Sequence, residues 1–301
     1  MSTLVVSRVG KDAVALETTL LLHGVPAASA PGLARDLAED VRSSGATPAL
    51  VGVVAGQPIV GLSDAELALL LDAAHAKPGV PKANTSNLGV LIARGSHAAT
   101  TVSTTMELAS DAGLRVFATG GLGGVHKGYG QQLDVSADLA AFTRFPVAVV
   151  ASGVKGLLDV VATREALETL GVPVVGFQTS RFPAFYVRES AAGVDARFDD
   201  VESLADFVSL ELSRTGRGIV VCNPVPQASE LHPSQFESWM TAAEHEAQYR
   251  GIAGRDVTPF LLGKLHDLSK GATLKANIDL VRSNARLAGR LALAMVGPLA
   301  K

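Results

Sequence analysis

The stretch FPVAVVASGVKGLLDVVAT, residues 145–163, decides the fold. Small and β-branched residues from Val147 to Val150 read as a strand buried on both faces, because a parallel strand covered by helices shows an unbroken apolar run rather than alternation. Ser152-Gly153 breaks the run, and Gly156 to Ala162 reads as the start of a helix. Strand, break and helix make the βα unit of a parallel sheet. Lys155 falls at the carboxyl end of the strand, facing the helix amino terminus. Burial and the positive end of a helix both disfavour an ammonium there. An amine shifted toward neutrality is a nucleophile for sugar aldehydes, through a Schiff base. A lysine snorkelling from a first helical turn is the other reading of the same position.

The pattern repeats on either side. Strands are predicted at Val14–Leu16, Leu50–Ala55, Ile59–Leu62, Gly89–Ala93, Val116–Ala118, Val147–Ala151, Val174–Phe177 and Ile219–Cys222, with a hairpin turn at Gly56-Gln57-Pro58. Helices are predicted at Gly32–Ser44, Ser63–Ala76, Thr101–Ala112, Thr163–Leu170, Val201–Thr215, Pro233–Tyr249, Pro259–Leu268 and Leu274–Val296. Ser63 with Glu66 forms a capping-box pattern. The expected architecture is α/β: a mostly parallel central sheet flanked by helices (α/β/α), with a hairpin excursion, in a single domain over residues 1–301.

Composition narrows the function. The chain has 301 residues, 48% hydrophobic and 18% charged, enough for a large core. A net charge of -3 and 5% aromatic residues exclude a broad nucleic-acid surface and base-stacking platforms. One cysteine, Cys222, excludes a disulfide framework, and it reads as a small buried hydrophobe. There is no signal-peptide pattern and no membrane-spanning run, so a cytoplasmic protein is expected.

In open α/β sheets ligands lie beyond the carboxyl ends of the strands. Those ends carry Glu17, Thr119, Ser152 with Lys155, Gln178-Thr179 and Asn223. Helix capping accounts for some of these, but not for Glu17 or Lys155. GGLGGVHKG, residues 120–128, follows a strand and reads either as a phosphate-cradling loop, with His126 or Lys127 adding charge, or as a flexible turn. It matches neither a P-loop nor a dinucleotide fingerprint. Asp134 and Asp138 flank Ser136; they can share a helical face, Asp134 can cap the helix, or one can hold a hard divalent cation near a phosphate. Lys82 precedes the Gly89–Ala93 run, and Thr100-Thr101-Val102-Ser103 opens a helix whose amides can bind an anion or be capped. Asn277 lies on the last helix beside the inward Ile278, Val281 and Ala285.

With these positions assembled, the chain resembles the pseudouridine-5′-phosphate glycosidase, or indigoidine-synthase-A-like, family. The likeness runs through VALETTLLLHGVP, TTVSTTMELASDAGLRVFATGGLGGVHKG, LDVSADL, VASGVKGLLDV, LGVPVVGFQTSRFPAF, VVCNPVP, DVTPFLL and LKANIDLVRSNA, nearly end to end. It implies reversible chemistry at the C–C bond between C1′ of ribose 5-phosphate and a base carbon. It implies Lys155 as the nucleophile that holds C1′ as an imine and Glu17 as the general acid–base. Asp134 would hold manganese, or another divalent cation, largely through waters. Lys82, Val102 and the run Ser136-Ala137-Asp138 would contact substrate, with His126 near the phosphate and Thr119 and Asn277 toward the base. A homotrimer is implied as well. The chemistry agrees: a C-glycoside has no leaving oxygen to protonate, so the paired-carboxylate route fits poorly, whereas an opened sugar held as an imine permits a retro-aldol-like break.

Two stretches depart from the family pattern. After Lys82 the family carries Ser-Arg-Arg-Asp, here Asn84-Thr85-Ser86-Asn87; before the paired threonines it carries Asn-Gly-Gly, here His97-Ala98-Ala99. Placed near the cleft, these changes point to synthesis with a small aromatic or heterocyclic acceptor other than uracil. The alternative is cleavage of pseudouridine 5′-phosphate to uracil and ribose 5-phosphate, and a remoter one is a non-catalytic sugar-phosphate binder.

Overall fold

A computed structural model describes residues 5–128, 130, 133–252 and 257–296. Its strands are β1 (Val6–Ser7), β2 (Ala13–Glu17), β3 (Thr47–Val54), β4 (Gln57–Val60), β5 (Lys82–Ala83), β6 (Ala98–Thr100), β7 (Val116–Ala118), β8 (Val125–His126), β9 (Ala148–Ala151), β10 (Leu158–Asp159), β11 (Val174–Phe177), β12 (Ala196–Phe198) and β13 (Ile219–Cys222). The large sheet runs β1-β4-β3-β2-β7-β9-β13-β11-β12, parallel throughout from β3 to β12. β3 and β4 form the antiparallel hairpin; its two-residue turn is Ala55-Gly56, both with positive φ, so Gln57 and Pro58 already belong to the strand.

The helices are α1 (Ala30–Arg42), α2 (Asp64–His75), α3 (Leu88–Ala93), α4 (Val102–Asp111), α5 (Ala137–Phe142), α6 (Val160–Thr169), α7 (Val201–Thr215), α8 (Pro233–Tyr249), α9 (Val257–Leu268) and α10 (Ala272–Val296). Successive residues of each central strand point to opposite faces. Val14, Leu16, Val150 and Val221 pack with α1, α7 and α10, while Ala15, Phe117, Val149 and Val220 pack with α4, α5 and α6. Val147 to Ala151 are completely buried, as the unbroken run demands, each valine contributing about 1.5–3 kcal/mol. Among the described residues no helix is long and apolar enough to cross a membrane.

Three sequence expectations are corrected. The run Gly89–Ala93 lies in a helix, not a strand, and the strand beside Lys82 is β6. A short apolar run has no period to decide between the two, and the turn made by Asn84 and Asn87 starts the helix: Asn87 Oδ1 accepts from the Asn84 amide (2.8 Å) while Asn84 Oδ1 accepts from Ser86 and Asn87. The segment from Gly156 does not begin a helix; α6 starts at Val160 with Asp159 as its cap, accepting from the Ala162 amide at 2.9 Å. Ser136, not Asp134, caps α5, accepting from the Asp138 amide, so Asp134 and Asp138 do not share a helical face. The Ser63–Glu66 capping box is present as read.

The topology places the site. From β2 the chain moves outward to β3, then returns to β7 on the opposite side of β2. Such a reversal leaves a crevice at the carboxyl ends of the two strands, which here end at Glu17 and Ala118.

Candidate functional site

Glu17 closes β2 and is 7% exposed. Thr119, the first residue past β7 and also buried, donates its hydroxyl to Glu17 Oε1. Burial pushes the Glu17 carboxyl above the usual carboxylate range, and nearby Asp138 adds to the rise; the charge of Lys155, the Thr119 hydroxyl and Lys82 act against it. Glu17 is therefore a carboxyl that tends to keep its proton, with two amines near enough for their charges to act on it.

Lys82 reaches this point by a short bonded path. Thr18, next to Glu17, exchanges hydrogen bonds with Thr100, whose amide donates to Thr18 Oγ1 at 3.0 Å. Thr100 pairs in register with Ala83, the neighbour of Lys82. Asn87 pins the Lys82 carbonyl at 3.1 Å. Although Lys82 is exposed as a residue, crowding around its ammonium lowers its pKa below the ordinary lysine range, burial first and Lys155 second, with Glu17 opposing. His23, in the single π-helical turn after Glu17, is held down by burial and by Lys82, while a bond to Val80 opposes.

Lys155 is exposed, on the loop between β9 and β10, which corrects the expectation of an ammonium buried against a helix end. Its backbone is fixed: the Lys155 amide donates to Leu122 O at 3.0 Å, and the Leu122 amide donates to Gly153 O at 2.9 Å. Gly153 has φ +69°, and a Cβ there would collide with the Pro183 carbonyl. Gly153→Ala is accordingly expected to destabilise by roughly 4 kcal/mol, read from the denaturant midpoint.

The glycine loop is packed rather than open. Gly121 lies against the Phe185 ring, Gly123 against Ser136 and Asp138, and Gly124 against Thr163, with no room for a Cβ. The amides of Leu122, Gly123 and Val125 are taken by Gly153 O, Asp138 Oδ2 (2.8 Å) and Thr163 Oγ1 (3.0 Å). A flexible turn does not describe it, and these three amides are engaged within the protein; its glycines allow close approach of β9 and α5 to the site. Asp138, 5% exposed, spends its other oxygen on the Ser103 amide in the first turn of α4 (3.0 Å). It therefore ties α4, headed by the buried Val102, to the glycine loop. Ser136 and Ala137 stand beside it at the start of α5.

His126 and Asp134 lie farther out, on the β8–β10 ribbon and the segment paired with it, with Nδ1 to Oδ2 at 3.7 Å. Among the described residues no group of three or more His, Cys, Asp or Glu side chains could hold a metal ion. One 60% exposed carboxylate beside one imidazole suits a hard cation only when water and substrate oxygens complete its shell.

Asn284 was missed by sequence reasoning, which singled out Asn277 on the same helix. Asn284 is fully buried and crosses three strand ends: Nδ2 donates to Thr119 O at 2.8 Å and to Ser152 Oγ at 3.2 Å, and Oδ1 accepts from Asn223 Nδ2 at 2.9 Å. Asn284→Ala leaves these groups unpaired and is expected to cost roughly 2 kcal/mol, measured by denaturant unfolding. Asn277 Oδ1 is buried without a hydrogen-bond partner, close to Gly120 and so to the crevice. Gln178 does not join the cluster: β11 stands four strands from β2, roughly 19 Å away. It lines instead a cleft with Phe177, Asp200 and Arg290 that contains neither Glu17 nor Lys155. The two departures from the family pattern are structural. Ala98 and Ala99 are completely buried in β6, His97 Nδ1 accepts from the Ala55 amide in the hairpin turn, and Asn84 with Asn87 starts α3.

Comparison with known proteins follows this geometry. The family model described as indigoidine synthase A like protein matches residues 6–294. A pseudouridine-5′-phosphate glycosidase of Methylobacterium nodulans is 46% identical over 96% of this chain and 85% of its own. One from Caldanaerobacter subterraneus subsp. tengcongensis is 44% identical over 94% and 91%. An indigoidine synthase A-like protein of Thermotoga maritima superposes with a TM-score of 0.86 at 38% identity, covering 96% of this chain and 95% of that one. The prealnumycin C-glycosynthase in complex with ribulose 5-phosphate superposes with a TM-score of 0.87 at 32% identity, covering 96% and 97%.

Proposed function

The chain belongs to the indigoidine synthase A like family, and from that membership we propose that it is a pseudouridine-5′-phosphate glycosidase, cleaving its substrate to uracil and ribose 5-phosphate. The observation that carries the reading is the buried, proton-retaining Glu17, within reach of the charges of Lys155 and Lys82, at the sheet's switch point. The relatives named for this activity support uracil as the base. Ala98, Ala99 and Asn84 each have a structural role, which accounts for them without a different acceptor.

Glu17 gives its proton to the ring oxygen as the sugar opens, and the Lys155 nitrogen bonds to C1′. The nitrogen passes a proton to the Glu17 carboxylate, its lone pair forms C1′=N while the C–C bond pair goes to the base carbon, and Glu17 hands that proton to the carbon. Water releases ribose 5-phosphate and returns the amine. Lys82 and the first turn of α4 lie where substrate oxygens need positive charge, and the unpartnered Asn277 Oδ1 calls for a donor on the base. The same steps reversed make a C-glycosynthase, the activity named for the structural neighbour.

Asp134, with His126 beside it, would hold manganese or a similar divalent cation through waters, supplying charge near the phosphate; the single exposed carboxylate supports this much. A homotrimer is supported by the exposed apolar residues Leu133, Val135 and Val161 near the β8–β10 ribbon, which an assembly would cover. The site draws on residues from Glu17 to Asn284, which supports one domain over 1–301, and a cytoplasmic location fits a metabolic enzyme of this kind. The test is direct: the purified protein releases uracil from pseudouridine 5′-phosphate, and borohydride with ribose 5-phosphate adds one pentose phosphate at Lys155. Absence of both sinks the proposal.

A further inference from the structure

We propose that this site carries a second activity, interconverting open-chain ribose 5-phosphate with its 2-ketose isomer, with Glu17 moving a proton between C2 and C1 and Lys82 serving the two oxygens. The inference rests on the reading above that an opened pentose phosphate occupies the crevice.

The glycosidase reaction leaves one product of this kind in the site each turnover: a free aldehyde with an acidic C2–H, beside a carboxyl group and a spare amine. Glu17 is buried, its carboxyl is oriented by the Thr119 hydroxyl, and the backbone that follows it is tied to β6 by the Thr18–Thr100 pair. The Lys82 backbone is bound to the same framework through Ala83 and Asn87, so the two side chains spring from paired strands rather than from loops, and their charges act on each other. A 1,2-proton shift needs that arrangement and nothing more: one base that reaches two adjacent carbons on one face, and one acid at the oxygens.

The step balances without a further reactant. Opening the ring leaves Glu17 ionised, its proton given to the ring oxygen, and Lys82 as the ammonium, having taken the O1 hydroxyl proton. Glu17 then takes the C2 proton, the C2–H pair forms C1=C2, and the carbonyl oxygen at C1 takes a proton from the Lys82 ammonium, giving an enediol. Glu17 returns the proton to C1, the C2 hydroxyl proton goes to Lys82, and C2 becomes the carbonyl. Lys155 is not part of this path. The same shift on the Lys155 imine would leave the sugar joined through a C–N single bond, which water does not cleave. Turnover therefore runs on the free aldehyde, and the two lysines divide the work: Lys155 bonds to carbon, Lys82 exchanges protons with oxygen.

The experiment follows ribose 5-phosphate labelled with ¹³C at C1 by NMR, with the full-length protein and no base present. The label is expected at C1 of ribulose 5-phosphate, at a rate that Glu17→Gln reduces about 10²-fold and Lys82→Met at least about tenfold. Lys155→Ala is expected to abolish uracil release from pseudouridine 5′-phosphate yet to keep ketose formation above the protein-free rate, altered only through the loss of its charge near Glu17 and Lys82. Circular dichroism establishes that each variant is folded, and Thr119→Val, expected to slow ketose formation through the orientation of Glu17, is the second variant should Glu17→Gln fail to fold. No ketose above the protein-free rate overturns the inference, as does an undiminished rate in Glu17→Gln, which marks a contaminating isomerase. Loss of ketose formation in Lys155→Ala overturns the division between the lysines. Uracil release without ketose formation leaves the glycosidase reading standing; uracil release that survives Lys155→Ala overturns that reading itself.

Discussion

Lys155→Ala is expected to lower the rate of C–C cleavage on the order of 10⁴-fold or more, because in the proposed mechanism it removes the atom that bonds to C1′ rather than a group that assists it. The fold is expected to be unaffected, within about 0.5 kcal/mol, since the side chain is exposed and the bond that fixes the loop comes from the Lys155 backbone amide. That separation makes the variant decisive. Uracil release is measured together with the mass of borohydride-treated protein, and both signals vanish in the variant while the denaturant midpoint stays in place. A variant retaining a tenth of the parent rate would show that another group carries the chemistry.

Glu17→Gln is the second large effect, about 10²–10⁴-fold in rate from loss of a positioned acid–base group. It carries an opposite signature in stability. The folded-state pKa of Glu17 is raised, chiefly by burial. A carboxyl raised in this way destabilises the native state as pH climbs from the unfolded value through the folded one, because the unfolded chain releases the proton first. Glutamine keeps a polar group opposite the Thr119 hydroxyl and never ionises. The variant is therefore expected to match the parent protein near pH 4 and to exceed it in Tm at pH 8, while being nearly inactive at both. A lower Tm for the variant at pH 8 would show that Lys155, Thr119 and Lys82 outweigh the burial of this acid.

How far these features could be read from the sequence depended on the kind of interaction behind them. Val147–Val150, Val174–Phe177 and Ile219–Cys222 announce themselves because a strand covered on both faces has no polar positions. Leu88–Ala93 offers the same short apolar run, and only the side-chain turn of Asn84 and Asn87, a local polar competition, makes it helical. Glu17 and Thr119 were legible as strand ends, but their bond to each other spans 102 residues and depends on β7 coming to lie beside β2. The glycine loop looked like an anion cradle because three of its amides could not be seen to be spoken for by Asp138, Thr163 and Gly153. Lys155 was identified through its neighbours in the chain and its family likeness; its exposure, set by the loop geometry after β9, was not encoded in that pattern.

Asn284 has a consequence for how the enzyme is made. It belongs to the last described helix, later in the chain than every strand whose end it ties. During translation Glu17, Lys82 and Lys155 all leave the ribosome before it, so a nascent chain, or one cut short by a premature stop codon, has the reactive groups but no tie across the crevice. The tie across the ends of β7, β9 and β13 is made only once synthesis has passed that residue, which sets the order in which this part of the polypeptide becomes a structure.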